Sequence, residues 1–311
     1  MRDTFTRCLQ DATRANPDLV LITGDLGFGV LFPFIKEFPD RFINAGISEQ
    51  AMMSMAAGMA LEGKTVVVYS IGNFPTLRCL EQIRNCCAYH EVNVKIVCVG
   101  AGFVYGTLGM THHATEDMSA LRLLPGVKVY APADARETEA VMTCFLNEPG
   151  VAYLRIGRGG EPDLSQGLPL ANYRTGSAVP RREGTDAYIL TAGGILGSAL
   201  EAAELLGEKG YSVGVASFPT VKPIDETYLA KLCNQVPLLF TLEEHTVLGG
   251  FGGAVCEVVC GLPHSRPRVV RLGLQDTYSS LVGNQDYLKK AFGLDGEGVA
   301  ASAFKALKGE A

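Results

Sequence analysis

An acidic residue opens a long, nearly uncharged segment that is rich in small side chains. Glu49 precedes Gln50 and the run Ala51-Met-Met-Ser-Met-Ala-Ala-Gly-Met-Ala-Leu61. A carboxylate at a helix N-terminus is stabilised by about 0.3 to 1 kcal/mol through the helix dipole, so Glu49 alone is interpreted as a structural cap. The alanine and glycine face, however, indicates close approach to another helix or another subunit. Such a contact would place Glu49 in surroundings of low dielectric constant, where a carboxyl group can do chemistry.

The familiar phosphate-binding and nucleophile motifs are absent from the sequence. Gly24-Asp-Leu-Gly-Phe-Gly29 lacks the spacing of a dinucleotide or P-loop fingerprint and is interpreted as a strand-to-helix turn. No Gly-x-Ser-x-Gly elbow occurs either. Nine cysteines lie among apolar neighbours without a Cys-x-x-Cys pair, which predicts mostly buried, reduced thiols and no metal site. A redox response of the Cys86-Cys87 and Cys256/Cys260 pairs is the alternative.

Short β-branched runs alternate with segments of helical spacing along the whole chain. Strands are expected at 19–22, 65–69, 94–99, 187–191, 211–217 and 237–243. These runs are too apolar to leave one face in water, which is typical of parallel strands covered on both sides. Helices are expected at 4–16, 49–61, 76–89, 134–146, 195–209 and 227–233, with Asp134 as the cap of the fourth. The fold class is therefore α/β, with two doubly wound layers.

The alternation lapses in a polar stretch of turn-forming residues at 159–167. Such stretches are typical of domain boundaries. We therefore expect one domain at residues 1–162, a linker at 163–175 and a smaller second domain at 176–311.

The overall composition excludes several classes of protein. The 27 Lys and Arg residues are outnumbered by 33 Asp and Glu residues, and no basic block that could neutralise a nucleic-acid backbone is present. The apolar stretches are strand-sized, far short of the roughly 18 to 20 residues that a membrane span needs. The N-terminal segment is polar and has no apolar signal region. We expect a cytoplasmic chain with neither nucleic-acid nor membrane partners.

Four ordered motifs resemble the transketolase family, and within it most closely the C-terminal subunit of split transketolases. The first three motifs resemble the pyrimidine-binding domain. A further segment, Tyr153 to Arg158, resembles the end of that domain. The fourth resembles the family's C-terminal domain, so the resemblance extends over nearly the whole chain. The motifs are Phe42-Ile-Asn-Ala-Gly-Ile-Ser-Glu49-Gln50, Tyr69-Ser-Ile-Gly-Asn-Phe74 before Glu81-Gln-Ile-Arg-Asn85, Gly106-Thr-Leu-Gly-Met-Thr-His112 before Glu116-Asp117, and Thr241-Leu-Glu-Glu-His245 before Gly249-Gly-Phe-Gly-Gly253.

The resemblance implies a thiamine diphosphate enzyme that moves a two-carbon ketol unit from a ketose phosphate to an aldose phosphate. This chain would supply a pyrimidine-binding domain followed by a transketolase C-terminal-type domain. The cofactor would lie between that pyrimidine-binding domain and a diphosphate-binding domain in another chain. The family's Gly-Asp-Gly motif with its downstream Asn is absent here. An N-terminal, diphosphate-binding subunit would therefore hold the Mg²⁺ (or Ca²⁺), and this chain would contribute no metal ligand.

By the same resemblance, Glu49 is the catalytic acid that shares a proton with the aminopyrimidine ring. That interaction favours the imino tautomer, which activates the thiazolium carbon, and burial would help Glu49 to hold the proton. Phe74 corresponds to an aromatic residue stacked on the pyrimidine, with ordinary core packing as the alternative. Ile71 replaces a second aromatic residue of that wall. Asp25 corresponds to an acid near the cofactor, or else accepts its own backbone amides in a turn.

The substrate residues are also implied by the resemblance. His112 corresponds to a histidine that exchanges a proton with the sugar oxygen, although the adjacent His113 is an alternative and a structural loop histidine is another. Arg2 and Arg158 correspond to two arginines that bind the sugar phosphate, a role suited to the guanidinium fork. Each arginine taken alone would be interpreted as a solvated surface charge. His245 is assigned to the interface edge or to packing.

Several departures from the family pattern predict an altered donor pocket. Leu108 replaces an aspartate that reads a donor hydroxyl, no histidine occurs near Gly100, and Gly29 replaces a phosphate-binding serine. We therefore expect ketol transfer with a non-standard sugar. Deoxyxylulose-phosphate synthase, the beta chain of a 2-oxoacid dehydrogenase and a non-catalytic assembly subunit remain alternatives. The small-residue helix also suits a homodimer seam, giving a two-plus-two complex with the partner subunit.

Overall fold

A computed structural model describes residues 1–263 and 267–310, and it contains two β-sheets covered by helices. The first part of the chain begins with α1 (Arg2–Ala15), β1 (Leu19–Thr23), α2 (Phe32–Glu37), β2 (Phe42–Asn44), α3 (Glu49–Leu61), β3 (Thr65–Ile71) and α4 (Leu80–Gln82). It continues with β4 (Val94–Val99), α5 (Asp117–Arg122), β5 (Lys128–Tyr130), α6 (Ala135–Asn147) and β6 (Ala152–Ile156).

The second part of the chain forms its own layer. Its elements are β7 (Val179–Arg182), β8 (Ala187–Ala192), α7 (Leu196–Gly207), β9 (Val213–Ser217), β10 (Thr220–Lys222), α8 (Glu226–Cys233), β11 (Leu238–Thr246), α9 (Phe251–Gly261), β12 (Arg268–Leu274), α10 (Gln285–Ala291) and α11 (Gly296–Leu307).

Both sheets are mostly parallel, as the β-branched runs predict. The first has the order β10-β5-β6-β4-β3-β1-β2 and the second the order β12-β11-β8-β9-β7. The β10–β5 and β7–β9 pairs are antiparallel and lie at sheet edges. Strands β1, β4, β6, β8 and β9 are buried along their whole length, because helices cover both faces. The prediction of an α/β fold with two layers is confirmed.

Local sequence signals set the ends of several helices. Asp134 caps α6, and its carboxylate accepts a hydrogen bond from Glu137 N, as predicted. Helix α3 begins at Glu49. The expected helix over 76–89 is irregular instead, with a 3₁₀ turn at Leu77–Cys79, the single turn of α4 and a π-helix at Ile83–Ala88. Such π segments are frequent at functional sites, and this one lies against α3.

The two predicted domains share a sheet and a core. Strand β10 comes from the second part of the chain, yet it pairs with β5 at the edge of the first sheet. One apolar cluster runs across the junction and joins Ile96 and Met118 to Leu190, Phe218 and Phe251. The relative position of the two layers is therefore fixed by buried apolar surface and not by the linker alone.

Within residues 1–263 and 267–310, no helix combines the length and apolarity needed to cross a bilayer. All nine cysteines lie in these ranges and are free thiols. Burial raises the pKa of the Cys79 and Cys87 thiols to about 12, which suits packing and not redox chemistry.

Candidate functional site

Four side chains form a continuous row, here called the Glu49 face: Glu49, Arg78, Phe74 and His112. The Glu49 side chain is only 4% exposed, and its Oε2 lies 2.7 Å from Arg78 Nη1. The Arg78 guanidinium covers the Phe74 ring at 4.8 Å from the ring centroid. Phe74 meets the His112 ring edge to face, with centroids 5.2 Å apart. The structure thus brings three of the predicted site residues together and adds a cation to them.

Strand order explains why these residues meet. Glu49, Phe74 and His112 follow the carboxyl ends of β2, β3 and β4, respectively. These strands are parallel members of one sheet, so their carboxyl ends lie at the same edge. Ligands bind at this edge in open α/β sheets, because the loops that follow the strands converge there.

Asp25 and Ile71 support the Glu49 face in different ways. Asp25 is exposed, has a positive φ of 57° and exchanges two hydrogen bonds with Asn44, both 3.0 Å long. A Cβ on the neighbouring Gly24 would lie 3.7 Å from Glu49 Cγ, so this turn borders the acid. Ile71 is half-buried, and its carbonyl accepts a hydrogen bond of 2.9 Å from Phe74 N. Ile71 therefore shapes the turn that presents the Phe74 ring.

The two adjacent histidines have different environments. His112 is half-buried against Phe74, and its Nδ1 lies 3.0 Å from Thr111 Oγ1. His113 is buried, its Nε2 lies 3.3 Å from Gly106 O, and its ring packs edge to face on Phe103. Burial lowers the pKa of His113, because the imidazolium form is poorly solvated. His112 is thus the histidine of the Glu49 face, and His113 is a packed residue.

Arg158 contacts an aromatic side chain, Tyr105, whose pKa also responds to the charge of Arg2. The Arg158 guanidinium lies 5.8 Å from the centroid of the Tyr105 ring, and Arg158 itself is exposed. Burial raises the pKa of Tyr105, while the positive charges of Arg158 and Arg2 oppose that rise. The half-buried Arg2 has a buried Nε without a hydrogen-bond partner among the described residues, although Asp3 Oδ1 lies 3.6 Å away. Both positive charges thus act on Tyr105, and the Arg158 guanidinium lies against its ring.

The three positions that depart from the family pattern have different surroundings. Gly100 has φ +98°, and a Cβ there would lie 2.3 Å from the Tyr105 ring. The Tyr105 ring therefore fills the space that a side chain at position 100 would need. Leu108 is 54% exposed in the same loop, so it presents an apolar surface where a hydroxyl-reading acid is expected. A Cβ on Gly29 would meet open space.

Sequence reasoning missed Arg78 and Tyr105. Arg78 is the single charged residue between Ile71 and Leu80 and follows Phe74 by four positions, a signal that could have indicated it. Tyr105 carries no such signal, because its role depends on contacts with residues from both ends of the first domain. Among residues 1–263 and 267–310, no group of three or more His, Cys, Asp and Glu side chains is placed to hold a metal ion.

Two family models together match most of the chain. The model described as the transketolase pyrimidine-binding domain matches residues 1–160, and that of the transketolase C-terminal domain matches residues 176–299. The chain belongs to the transketolase family. This finding confirms the resemblance drawn from the motifs and the fold class. Relatives that are themselves transketolase subunits confirm the expectation of a transferase subunit of the transketolase type.

Relatives of this transketolase-family chain include separate subunits and longer enzymes. A subunit of the apulose-4-phosphate transketolase of Phocaeicola vulgatus is 34% identical over 309 residues, which are 99% of this chain and 97% of that protein. The 1-deoxy-D-xylulose-5-phosphate synthase of Azoarcus sp. is 36% identical over 96% of this chain but only 47% of its own length. A solved structure described as a split gene transketolase, inactive beta4 tetramer, has a TM-score of 0.89 at 34% identity, covering 99% of this chain and 98% of that one.

Proposed function

We propose that this chain is the C-terminal subunit of a two-chain, thiamine diphosphate-dependent enzyme. The enzyme transfers a two-carbon ketol unit from a ketose phosphate to an aldose phosphate. The single observation that carries the proposal is the Glu49 face: a buried carboxylate that begins a helix beside a half-buried aromatic ring and an accessible imidazole. These are the groups that recognition of an aminopyrimidine and proton transfer to a sugar require.

The residues of this chain fit the pyrimidine half of the cofactor. Glu49 would hold or release a proton at the ring nitrogen, in a place where water is excluded from the carboxylate. Phe74 would stack on the flat heterocycle, with Ile71 as the aliphatic part of the same wall, and Asp25 would border the cofactor from the adjacent turn. When bound, thiamine diphosphate supplies the nucleophilic carbon that takes up the ketol unit. The Mg²⁺ (or Ca²⁺) and the diphosphate would be held by the N-terminal subunit.

The remaining residues serve the substrate. His112 would pass a proton to or from the sugar oxygen next to the reacting carbon. Arg2 and Arg158 would bind the phosphate group, because both positive charges act on Tyr105 and a guanidinium fork suits a dianion. His113 contributes by packing, since it is buried on Phe103. The apolar Leu108 and the missing side chain at Gly100 favour a sugar other than the usual pentose phosphates. The apulose phosphate named in one relative supports this choice.

The surface around the Glu49 face supports a requirement for a partner. Several large apolar side chains are exposed there or on α3, namely Phe28 (70%), Ile47 (80%), Leu61 (60%) and Met110 (50%). Exposed apolar surface of this kind is typical of interaction sites. Ala51, Ser54 and Gly58 are also exposed on α3, a small-residue face that suits a homodimer seam. A two-plus-two complex would cover both surfaces, and the relative named as one subunit of a transketolase supports such an assembly.

The test is reconstitution with the diphosphate-binding subunit, followed by assays of two reactions. Ketose phosphate plus aldose phosphate should yield ketol transfer with dependence on thiamine diphosphate. Pyruvate plus glyceraldehyde phosphate should give neither carbon dioxide nor a coupled product. The second reaction is the alternative that the similarity to deoxyxylulose-phosphate synthase favours. Carbon dioxide release would overturn the assignment as a transketolase.

One variant separates catalysis from assembly. Glu49→Gln should lower ketol transfer by at least about 100-fold, because an amide cannot exchange a proton with the ring nitrogen. The complex should still form, since the amide has nearly the same size and shape as the carboxylate. Glu62→Gln is the matched control, since Glu62 is an exposed acid at the other end of the same helix. Equal rates for both variants would favour a non-catalytic assembly subunit.

A further inference from the structure

The segment that carries His112 contacts the C-terminal part of the chain. This segment, here called the His112 loop, comprises residues 100–116 and follows β4. It closes on itself through two hydrogen bonds between Gly102 and Ala114, of 3.0 and 2.9 Å. Thr246 N, at the end of β11, donates a hydrogen bond of 2.8 Å to Thr115 O. The C-terminal layer therefore reaches the backbone two residues beyond His113.

Glu244 is the central contact of this junction. Its side chain is 4% exposed, and Oε1 accepts a hydrogen bond of 2.5 Å from Phe103 N, inside the His112 loop. Both carboxylate oxygens also accept from Gln285 Nε2, at 3.1 and 2.8 Å. Gly102 allows the approach, because a Cβ there would lie 2.5 Å from Glu244 Oε1. A buried acid from the C-terminal layer thus fixes the first turn of the loop.

The backbone of Glu244 fixes the second half of the loop through Arg155. Arg155 Nη2 donates to Glu244 O at 2.9 Å and to Ala114 O at 2.8 Å. Arg155 Nε donates to Asp117 Oδ2 at 2.8 Å, and the whole cluster is buried. Both ends of the His112 loop are therefore attached to Glu244. The first end is attached through the Glu244 carboxylate, and the second through the Arg155 guanidinium.

Aromatic packing continues the same support. Phe103 stacks on Phe292, just after α10, with ring centroids 5.4 Å apart. The Phe103 ring also packs edge to face with the His113 ring. A Cβ on Gly106 would lie 2.5 Å from Gly283 O, so loop and C-terminal segment touch at the backbone. Asn73 Nδ2, in the turn that presents the Phe74 ring, also donates to His113 O at 2.6 Å. The loop is therefore held between that turn and the C-terminal layer.

We infer that Glu244 is a positioning residue for His112, and that the C-terminal domain serves the site by holding the His112 loop in place. Glu244 does not touch substrate or cofactor; it acts through the backbone of the loop. The inference deepens the proposed function and rests on it for the catalytic consequence. The structural part, that Glu244 anchors the loop, can be tested without any activity.

The first measurement is hydrogen exchange of the full chain without its partner. Glu244→Ala should speed exchange in peptides from residues 100–116 about 10-fold or more, because Phe103 N loses its acceptor. Glu244→Gln should keep nearly wild-type exchange, since an amide oxygen can still accept from Phe103 N. Leu206→Ala is the control for lost stability, because Leu206 is fully buried in the C-terminal core on α7.

The second measurement uses the reconstituted complex. Glu244→Ala should lower kcat/KM for the ketose phosphate by about 10- to 100-fold, because a small displacement of His112 is costly in a preorganised site. The dissociation constant of thiamine diphosphate should change by less than about 3-fold, since Glu49 and Phe74 lie outside the loop. Glu244→Gln should restore most of the rate.

The outcomes separate this inference from the proposed function. A wild-type complex without ketol transfer would reject the proposed function, while faster loop exchange in Glu244→Ala than in Leu206→Ala would still support the anchoring. Equal loop exchange in the two variants would overturn the inference. A rate loss in Glu244→Ala no larger than that in Leu206→Ala would also overturn it.

Discussion

Glu49 and Arg78 form an ion pair in which the acid is buried and the base is half exposed, with Arg78 Nη1 2.7 Å from Glu49 Oε2. The pair links the first residue of α3 to the turn that follows β3. Arg78 also lies over the Phe74 ring, so one guanidinium connects the acid to the aromatic wall. Its exposure lets it move aside at little cost when another partner approaches the carboxylate.

The energetic link between the two residues can be measured by a double-mutant cycle. Arg78→Met should lower the free energy of unfolding by about 1 to 2 kcal/mol, because it leaves a buried carboxylate without its partner. In the Glu49→Gln background the same change should cost less than about 0.5 kcal/mol. Urea unfolding of the four proteins gives the coupling energy. A coupling energy of zero would show that the contact contributes nothing to stability.

Substitution of His112 should change activity, whereas substitution of His113 should change stability. His112→Asn should leave the free energy of unfolding within about 0.5 kcal/mol of wild type but lower ketol transfer about 100-fold or more, because a proton-transfer group is lost. His113→Asn should lower the free energy of unfolding by about 1 to 2 kcal/mol, since it removes buried packing on Phe103 and the contact with Gly106 O. Thermal unfolding and the reconstituted assay, run in parallel, check both. The reverse pattern would assign the site to His113.

The arginine pair predicts selectivity for phosphorylated substrates. Arg158→Met should raise KM for a ketose phosphate by about 10-fold or more, because a charge-assisted hydrogen bond contributes about 1.5 to 3 kcal/mol. Its effect on the corresponding unphosphorylated ketose should be much smaller. Arg174→Met, at another exposed arginine, is the control. Equal effects on both substrates would argue against a phosphate-binding role for Arg158, and Arg2→Met can be tested in the same way.

A buried acid predicts a specific pH dependence of stability. Burial raises the pKa of Glu137 to about 7, although its Oε2 accepts hydrogen bonds from Ala133 N and Ser217 Oγ. The folded chain therefore binds this proton more tightly than the unfolded chain does. The resulting stabilisation is complete below the ordinary carboxyl pKa of 4.5 and is lost as the pH rises through about 7.

Glu137→Gln should remove this dependence. Relative to wild type, the variant should gain stability as the pH rises from about 4.5 to 8, by up to about 3 kcal/mol. Urea unfolding at several pH values measures the difference, in which contributions from other titrating groups cancel. Glu139→Gln, the same change at an exposed position on α6, is the control. A difference between wild type and Glu137→Gln that stays constant with pH would contradict the prediction.

Much of the architecture follows from short-range patterns in the sequence. β-Branched runs predicted the parallel strands, and Asp134 predicted the start of α6, because these signals depend on residues within one element. The helix over 76–89 was expected to be regular, yet it contains a π segment, since its packing against α3 overrides local spacing. Three of the four residues of the Glu49 face were identified from motifs, as was the family.

Only the tertiary structure decided the contacts between segments that are remote from each other in the chain. The sequence by itself determined that Glu49 begins a helix, that Glu49, Phe74 and His112 lie in motifs of one family, and that two α/β layers occur. It did not determine that Arg78 neutralises Glu49, that His112 and not His113 faces Phe74, or that β10 joins the first sheet. Glu244 and Phe103 are 141 residues apart, and no local pattern encodes their bond. Such contacts form because buried polar groups need partners once apolar burial has brought the two layers together, and the partner is set by the packing of the whole chain.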